Sequence, residues 1–152
     1  MATNRVHVKE TTVTLDGIAS DLAKLLGAKV GYLAETTGPQ TYDNGLTLAA
    51  NAAIQELGTD TIPPRPFMRA GAEAFDQMDR QIGSALRAVI EKKIAPKQGS
   101  NRLGVMLQTE IKRAIRGGDF TPNKPSTIKR KGSSTPLIDD GKLHGGVDVR
   151  TK

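Results

Sequence analysis

The residues with chemical reach are few. The only histidines, His7 and His144, stand near opposite ends of the chain, and an imidazole becomes a general base only beside a group that orients it. Asp139-Asp140 together with Glu56 could hold Mg²⁺ in the manner of a nuclease, but adjacent acids are more often simply part of a turn. There is no cysteine, which excludes thiol nucleophiles, disulfides and thiolate metal sites. No Gly-x-Ser-x-Gly elbow, P-loop or His-Glu-x-x-His stretch occurs. The expectation is a protein without catalytic residues, metal or cofactor.

Positive charge is the other chemical resource. Lys129-Arg130-Lys131, flanked by Lys124 and Lys142, is the densest basic cluster. No aromatic residue is interleaved with it, which argues against stacking on single-stranded bases. It suits phosphate contacts without sequence preference, or docking on an acidic neighbour. Residues 1–100 hold eleven Lys/Arg and eleven Asp/Glu, whereas 101–152 hold eleven against five, so the formal +6 sits wholly in the last third. That asymmetry points to an acidic partner, nucleic acid included; a solvated basic tail is the plain alternative.

The elements that position these groups must be built from Leu, Ile, Val and Ala, because the chain has three Phe, two Tyr and no Trp. A length of 152 residues suits one domain that buries roughly 70% of its unfolded surface. Alternation of Val6, Val8 and Val13 predicts a strand over 5–14. Ile18, Leu22, Leu25 and Leu26 are helically spaced between Asp16 and Gly27, and 28–33 is a second strand candidate. Residues 36–45 read as an exposed loop or a long hairpin with a turn at Asn44-Gly45, and 46–57 as a strand end passing into a short helix. From Pro66, an apolar stripe through Phe67, Phe75, Ile82, Val89 and Ile94 predicts a helix of roughly 45 Å. Pro96 ends it, and a break near 76–81 is allowed for because so long a helix overhangs a small domain. A second helix, capped by Ser100 or Asn101, carries Leu103, Leu107, Ile111 and Ile115 and stops at Gly117-Gly118. The two form an antiparallel hairpin over 66–116.

From Asp119 the periodicity disappears into Pro, Ser, Thr, Lys and Gly. Composition predicts an extended or mobile arm, with Val147-Asp148-Val149 leaving open a short last strand. The first residues lead into no apolar stretch, so no secretory leader is expected. No apolar run nears the ~18 residues of a membrane helix.

The most constrained stretch is 54–67. Pro63, Pro64 and Pro66 force 62–65 into an extended path, Pro66 suits a first helical position, and Gly58 lets the chain bend. The result is a stiff elbow carrying Glu56 and Arg65, which pair with each other, pair across a subunit contact, or form an ordinary surface ion pair. Phe67 serves either as the first core contact of the long helix or as a plug into a neighbour.

These residues carry a resemblance. Ala53-Ile54-Gln55-Glu56-Leu57-Gly58-Thr59 followed by Ile62-Pro63-Pro64-Arg65-Pro66-Phe67 resembles the signature of the tail-completion (neck) proteins of long-tailed bacteriophages. About 55 residues later, Pro122-Asn123-Lys124-Pro125-Ser126-Thr127-Ile128-Lys129-Arg130-Lys131-Gly132 and Thr135-Pro136-Leu137-Ile138-Asp139-Asp140-Gly141-Lys142-Leu143 match a second block in the expected order. The resemblance implies a virion structural protein that joins or caps the tail tube as a homo-oligomeric ring. It was assembled, on that view, in the bacterial cytoplasm with other neck and tail proteins, with genomic DNA passing through its lumen. It points to Glu56, Gly58, Pro64, Arg65, Pro66, Phe67, Pro136, Leu137, Asp139 and Gly141 as interface residues. Lys124, Lys129, Arg130, Lys131 and Lys142 would face DNA or an acidic partner. A small nucleic-acid-binding protein using its basic third is the alternative. The expected fold is α+β: a domain over 1–118, with a small mixed or antiparallel sheet and helices on one face, then a basic extended C-terminal arm over 119–152.

Overall fold

The computed structural model describes residues 5–8, 11–14, 27–37 and 41–152. The helix expected between Asp16 and Gly27 lies outside the described residues. The architecture is α+β. The single strand expected over 5–14 is instead two strands, β1 (Arg5–Val8) and β2 (Thr11–Thr14), paired antiparallel with Val6 opposite Val13. Pairing with each other supplies the ladder bonds that one lone strand lacks.

A second two-stranded sheet pairs β3 (Ala28–Gly31) antiparallel with β4 (Asp148–Thr151), placing Val30 opposite Val149. It joins the two ends of the described globule. A short α1 (Ala34–Thr37) follows β3. Tyr42 and Gly45 close a turn in which the Gly45 N–H donates to the Tyr42 carbonyl, and Thr41 bridges Thr47. Thr47 then caps α2 (Leu48–Leu57) through its hydroxyl, which accepts from the Ala50 N–H at 3.2 Å.

The long helix breaks as its length demanded. It divides into α3 (Phe67–Asp76) and α4 (Asp79–Ile90) around Gln77 and Met78. Asp79 opens α4, where a negative charge is favoured by the helix dipole. The role of Pro96 is the reverse of the one expected. It is the first residue of α5 (Pro96–Gly117), because proline at that position forfeits no hydrogen bond, while α4 stops at Ile90 and Lys92 takes a left-handed φ of 55°. The Gln98 side chain accepts from the Ala95 N–H at 2.9 Å, so the helix starts there and not at Ser100, which is buried within it.

Helix α5 is the hub: α3, α4, β3 and β4 all pack on it. Phe67, Ile111, Ile115, Leu48, Ala52, Leu137, Leu143 and Val147 form the core, with Tyr32 edge-on to Phe67 at 6.3 Å between ring centroids. Three of these eight come from beyond residue 119. The extended arm is therefore corrected: 119–152 folds back, forming α6 (Pro125–Lys131), α7 (Lys142–Gly145) and β4. Widely spaced Leu137, Leu143 and Val147 carry no periodic signal, yet each buries nearly its whole side chain. Burial of an aliphatic side chain is worth about 1.5–3 kcal/mol, enough to hold a polar segment down.

Candidate functional site: the cleft between elbow and C-terminal segment

The elbow is rigid for reasons visible atom by atom. Gly58 ends α2 at φ 76°, and a Cβ there would lie 2.8 Å from the Ile62 carbonyl oxygen and from the Pro64 nitrogen. Beyond it, the Thr59 N–H donates to the Ile62 carbonyl at 2.8 Å, while the Thr59 hydroxyl accepts from the N–H of Ile62 at 3.1 Å. The Arg65 N–H returns to the Gln55 carbonyl at 2.7 Å, tying the end of the elbow to α2. Pro66 lies one position before α3, and Phe67 is its first residue.

Glu56 and Arg65 do not pair with each other. The Glu56 carboxylate accepts from the N–H groups of Met68 at 2.8 Å and Arg69 at 3.1 Å. It thus caps α3 from a distance, supplying the acceptor that Pro66 cannot and setting a negative charge at the positive end of the helix. Arg65 turns the other way and is only 6% exposed. Its Nε donates to the Thr121 carbonyl at 3.0 Å, one terminal nitrogen to Gln55 Oε1 at 2.8 Å and the other to Asn123 Oδ1 at 3.1 Å. Burial pulls its pKa below the ordinary guanidinium value. Arg65 is the clasp that holds the C-terminal segment against α2.

That clasp forms the floor of a cleft of about 380 Å³. Tyr42, Asn51 and Gln55, Ile62 and Pro63 of the elbow, and 121–124 with Arg130, Lys131, Leu137, Asp139 and Asp140 are among its lining residues. Of the residues singled out in the sequence, Arg65, Lys124, Arg130, Lys131, Leu137 and Asp139 meet here. Lys131 donates to the Thr135 carbonyl at 3.2 Å. Burial lowers its pKa, Arg65 and Arg130 add to that, and Asp139 opposes it.

The other singled-out residues lie apart from this floor. Lys142 is not a free member of the basic cluster: its ammonium pairs with Asp140 at 2.8 Å and stands 5.3 Å over the Tyr42 ring. The Lys142 pKa rises through that carboxylate. In Asp140 the upward effect of burial is outweighed by the hydrogen bonds from Lys142, so its carboxyl sits below the usual value. Lys129 is exposed on α6 and does not line the cleft. Phe67 is fully buried and Leu137 nearly so, which leaves neither with a side-chain surface to offer a neighbour in the single chain. Leu137 takes a left-handed φ of 63°, an uncommon conformation for a bulky residue. Pro64 and Gly141 are exposed and Pro136 is half-buried. Gly141 opens α7 at φ 79°.

Glu56 is committed to α3, and among the described residues no three His, Cys, Asp or Glu gather as metal ligands. Gln55, Thr121 and Asn123, the partners of Arg65, were not singled out in the sequence. Gln55 and Asn123 lie inside the two quoted stretches, and Thr121 directly precedes the second. His144 packs near Lys112 and Arg116, and its Nε2 is buried without a hydrogen-bond partner among the described residues.

No helix among the described residues is long and apolar enough to cross a membrane. Compared with known proteins, the chain matches no family model, no curated protein and no solved structure.

Proposed function

We propose that this chain is a neck or tail-completion protein of a long-tailed bacteriophage, which closes into a homo-oligomeric ring at the end of the tail tube and helps join it to the head. The observation that carries this reading is the meeting of two separated blocks. The elbow block and the 122–143 block, about 55 residues apart in sequence, are clasped together by Arg65 through Asn123, with a further bond to Thr121 just before the second block. Residues that resemble the family signature thus form one continuous surface rather than two unrelated ones. The elbow's proline path and its hydrogen bonds make that surface stiff, and preorganised surfaces bind with less ordering cost. The partners are other copies of the chain, the adjoining neck and tail proteins, and DNA in the lumen facing the basic residues. The role is structural; no bond is made or broken. The protein would be assembled in the bacterial cytoplasm and reside in the virion.

Negative-stain imaging of purified protein, alone and with tail tubes, tests this reading. Discrete rings or capped tube ends are expected; a monomer that ignores the tubes would refute it. The exposed Lys129 and Arg130 on α6 favour a second reading, a nucleic-acid-binding module. That module would retain DNA as an isolated monomer, with an affinity falling steeply with salt.

A further inference from the structure

We infer that the cleft over Arg65 is a receptor for protein carboxylates, and that its occupant is the acidic turn between α3 and α4 of a second copy of this chain. The inference rests on the ring reading and says which surfaces make the ring contact.

The cleft holds positive charge that its own chain leaves uncompensated. All three hydrogen bonds of buried Arg65 go to neutral oxygens. No carboxylate among the described residues lies within ion-pair distance of it, and the same is true of Lys131. Lys124 and Arg130 add two further cations to the lining. Against these stand Asp139 and Asp140, and Asp140 is already engaged by Lys142. A buried cation without a counter-charge is costly, and an arriving carboxylate relieves that cost. The neutral lining suits a polypeptide: side-chain amides from Asn51, Gln55 and Asn123 alternate with apolar surface from Ile62 and Pro63. A nucleic-acid backbone fits less well. One face of Tyr42, the aromatic residue of the lining, is covered by Lys142 and is not open for base stacking.

The complementary surface lies on the same chain. Glu73, Asp76 and Asp79 are all exposed around the α3–α4 break, and none has an ion-pair partner among the described residues. Arg80 beside them offsets part of that charge. This turn cannot fill its own cleft. Helix α3 has ten residues, so the turn lies about 15 Å along its axis from the elbow. Knob and cleft are therefore different patches, and their union is a head-to-tail contact, which closes into a ring or runs on as a filament.

Sedimentation of the full chain, alone and on tail tubes, at low and high salt, tests this. Two double variants are compared with the parent: Arg130→Glu with Lys131→Glu, and Asp76→Lys with Asp79→Lys. Circular dichroism establishes that each stays folded. Each alone is expected to weaken self-association roughly tenfold or more. An equimolar mixture should restore assembly with the two variants in a 1:1 ratio, since the cationic knob of one meets the anionic cleft of the other and their two unaltered patches also match. If both variants assemble like the parent, the docking assignment is wrong while the ring stands. If the parent stays monomeric in every condition, both fall. Should the Arg130→Glu/Lys131→Glu variant lose only retention of a 20-mer oligonucleotide, the occupant is nucleic acid and the inference is overturned.

Discussion

Glu56 acts through two oxygen atoms, and its role is structural. Its carboxylate satisfies two amides at the start of α3, a place where proline supplies no side-chain acceptor. Glu56→Ala should cost about 0.5–2 kcal/mol, the usual worth of a lost N-terminal cap, while Glu56→Gln keeps an acceptor and should cost less. Urea unfolding measures both; equal midpoints for the parent and the alanine variant would mean water replaces the cap at no loss. Arg65 works differently. Its three partners come from α2 and from the segment after α5, so it sets the distance between two parts of the surface rather than the start of a helix. Nothing in either residue type announces this division. An acid and a base nine positions apart suggest a pair, and only the direction in which each side chain leaves the elbow separates them.

Among the helices, α3 and α5 pack most extensively against each other. A Cβ built on Gly71 would lie 2.6 Å from the Ile111 Cα. That contact is backbone, so it cannot be relieved by turning a side chain, and Gly71→Ala would push the helices apart. Overpacking of this kind costs about 1–3 kcal/mol. It exceeds the gain of up to ~1 kcal/mol that alanine brings to an exposed helix interior. A lowered urea midpoint is expected; a raised one would show that the helices separate freely. The break between α3 and α4 matters at this scale too. It ends α3 at Asp76 and starts α4 at Asp79, so these two acids and Glu73 of α3 are exposed around the break, where they are available to another molecule.

For the whole molecule, stability should depend on pH through His144. Burial lowers its pKa in the folded state, and Arg116 and Lys112 on α5 lower it further. The unfolded chain has an ordinary histidine near 6.5. Above that value the ring is neutral in both states and stability is complete. As pH falls through about 6.5, the unfolded state takes up a proton that the folded state refuses, so stability declines. Thermal unfolding between about pH 7.5 and 5.5 should therefore slope more steeply in the parent than in His144→Gln. His7 is common to both proteins and cancels from the difference. Identical slopes would mean that His144 is solvated in the folded state. The same packing explains why 119–152 is part of the globule: α7 carries His144 and Leu143 onto α5 and α2, and β4 closes against β3.

Local regularities in the chain determined much of this. Propensity pointed to a short helix within 46–57, period to a stripe from Phe67 to Ile94 of which the helical part ends at Ile90, and Gly117-Gly118 to a stop, while the prolines with Gly58 marked a stiff elbow. Those features depend on neighbours within a few residues, whose steric and hydrogen-bond rules act before any tertiary contact forms. Composition likewise placed the basic surplus in the last third. The tertiary structure alone decided three things: that Leu137, Leu143 and Val147 anchor a segment with no periodicity, that Arg65 and Glu56 serve different neighbours, and that the elbow and the 122–143 segment line one cleft. Each of these is a meeting of residues far apart in sequence. Burial of a few isolated aliphatic side chains and hydrogen bonds to neutral oxygens leave no spacing to read, because their partners are chosen by the fold and not by the chain around them.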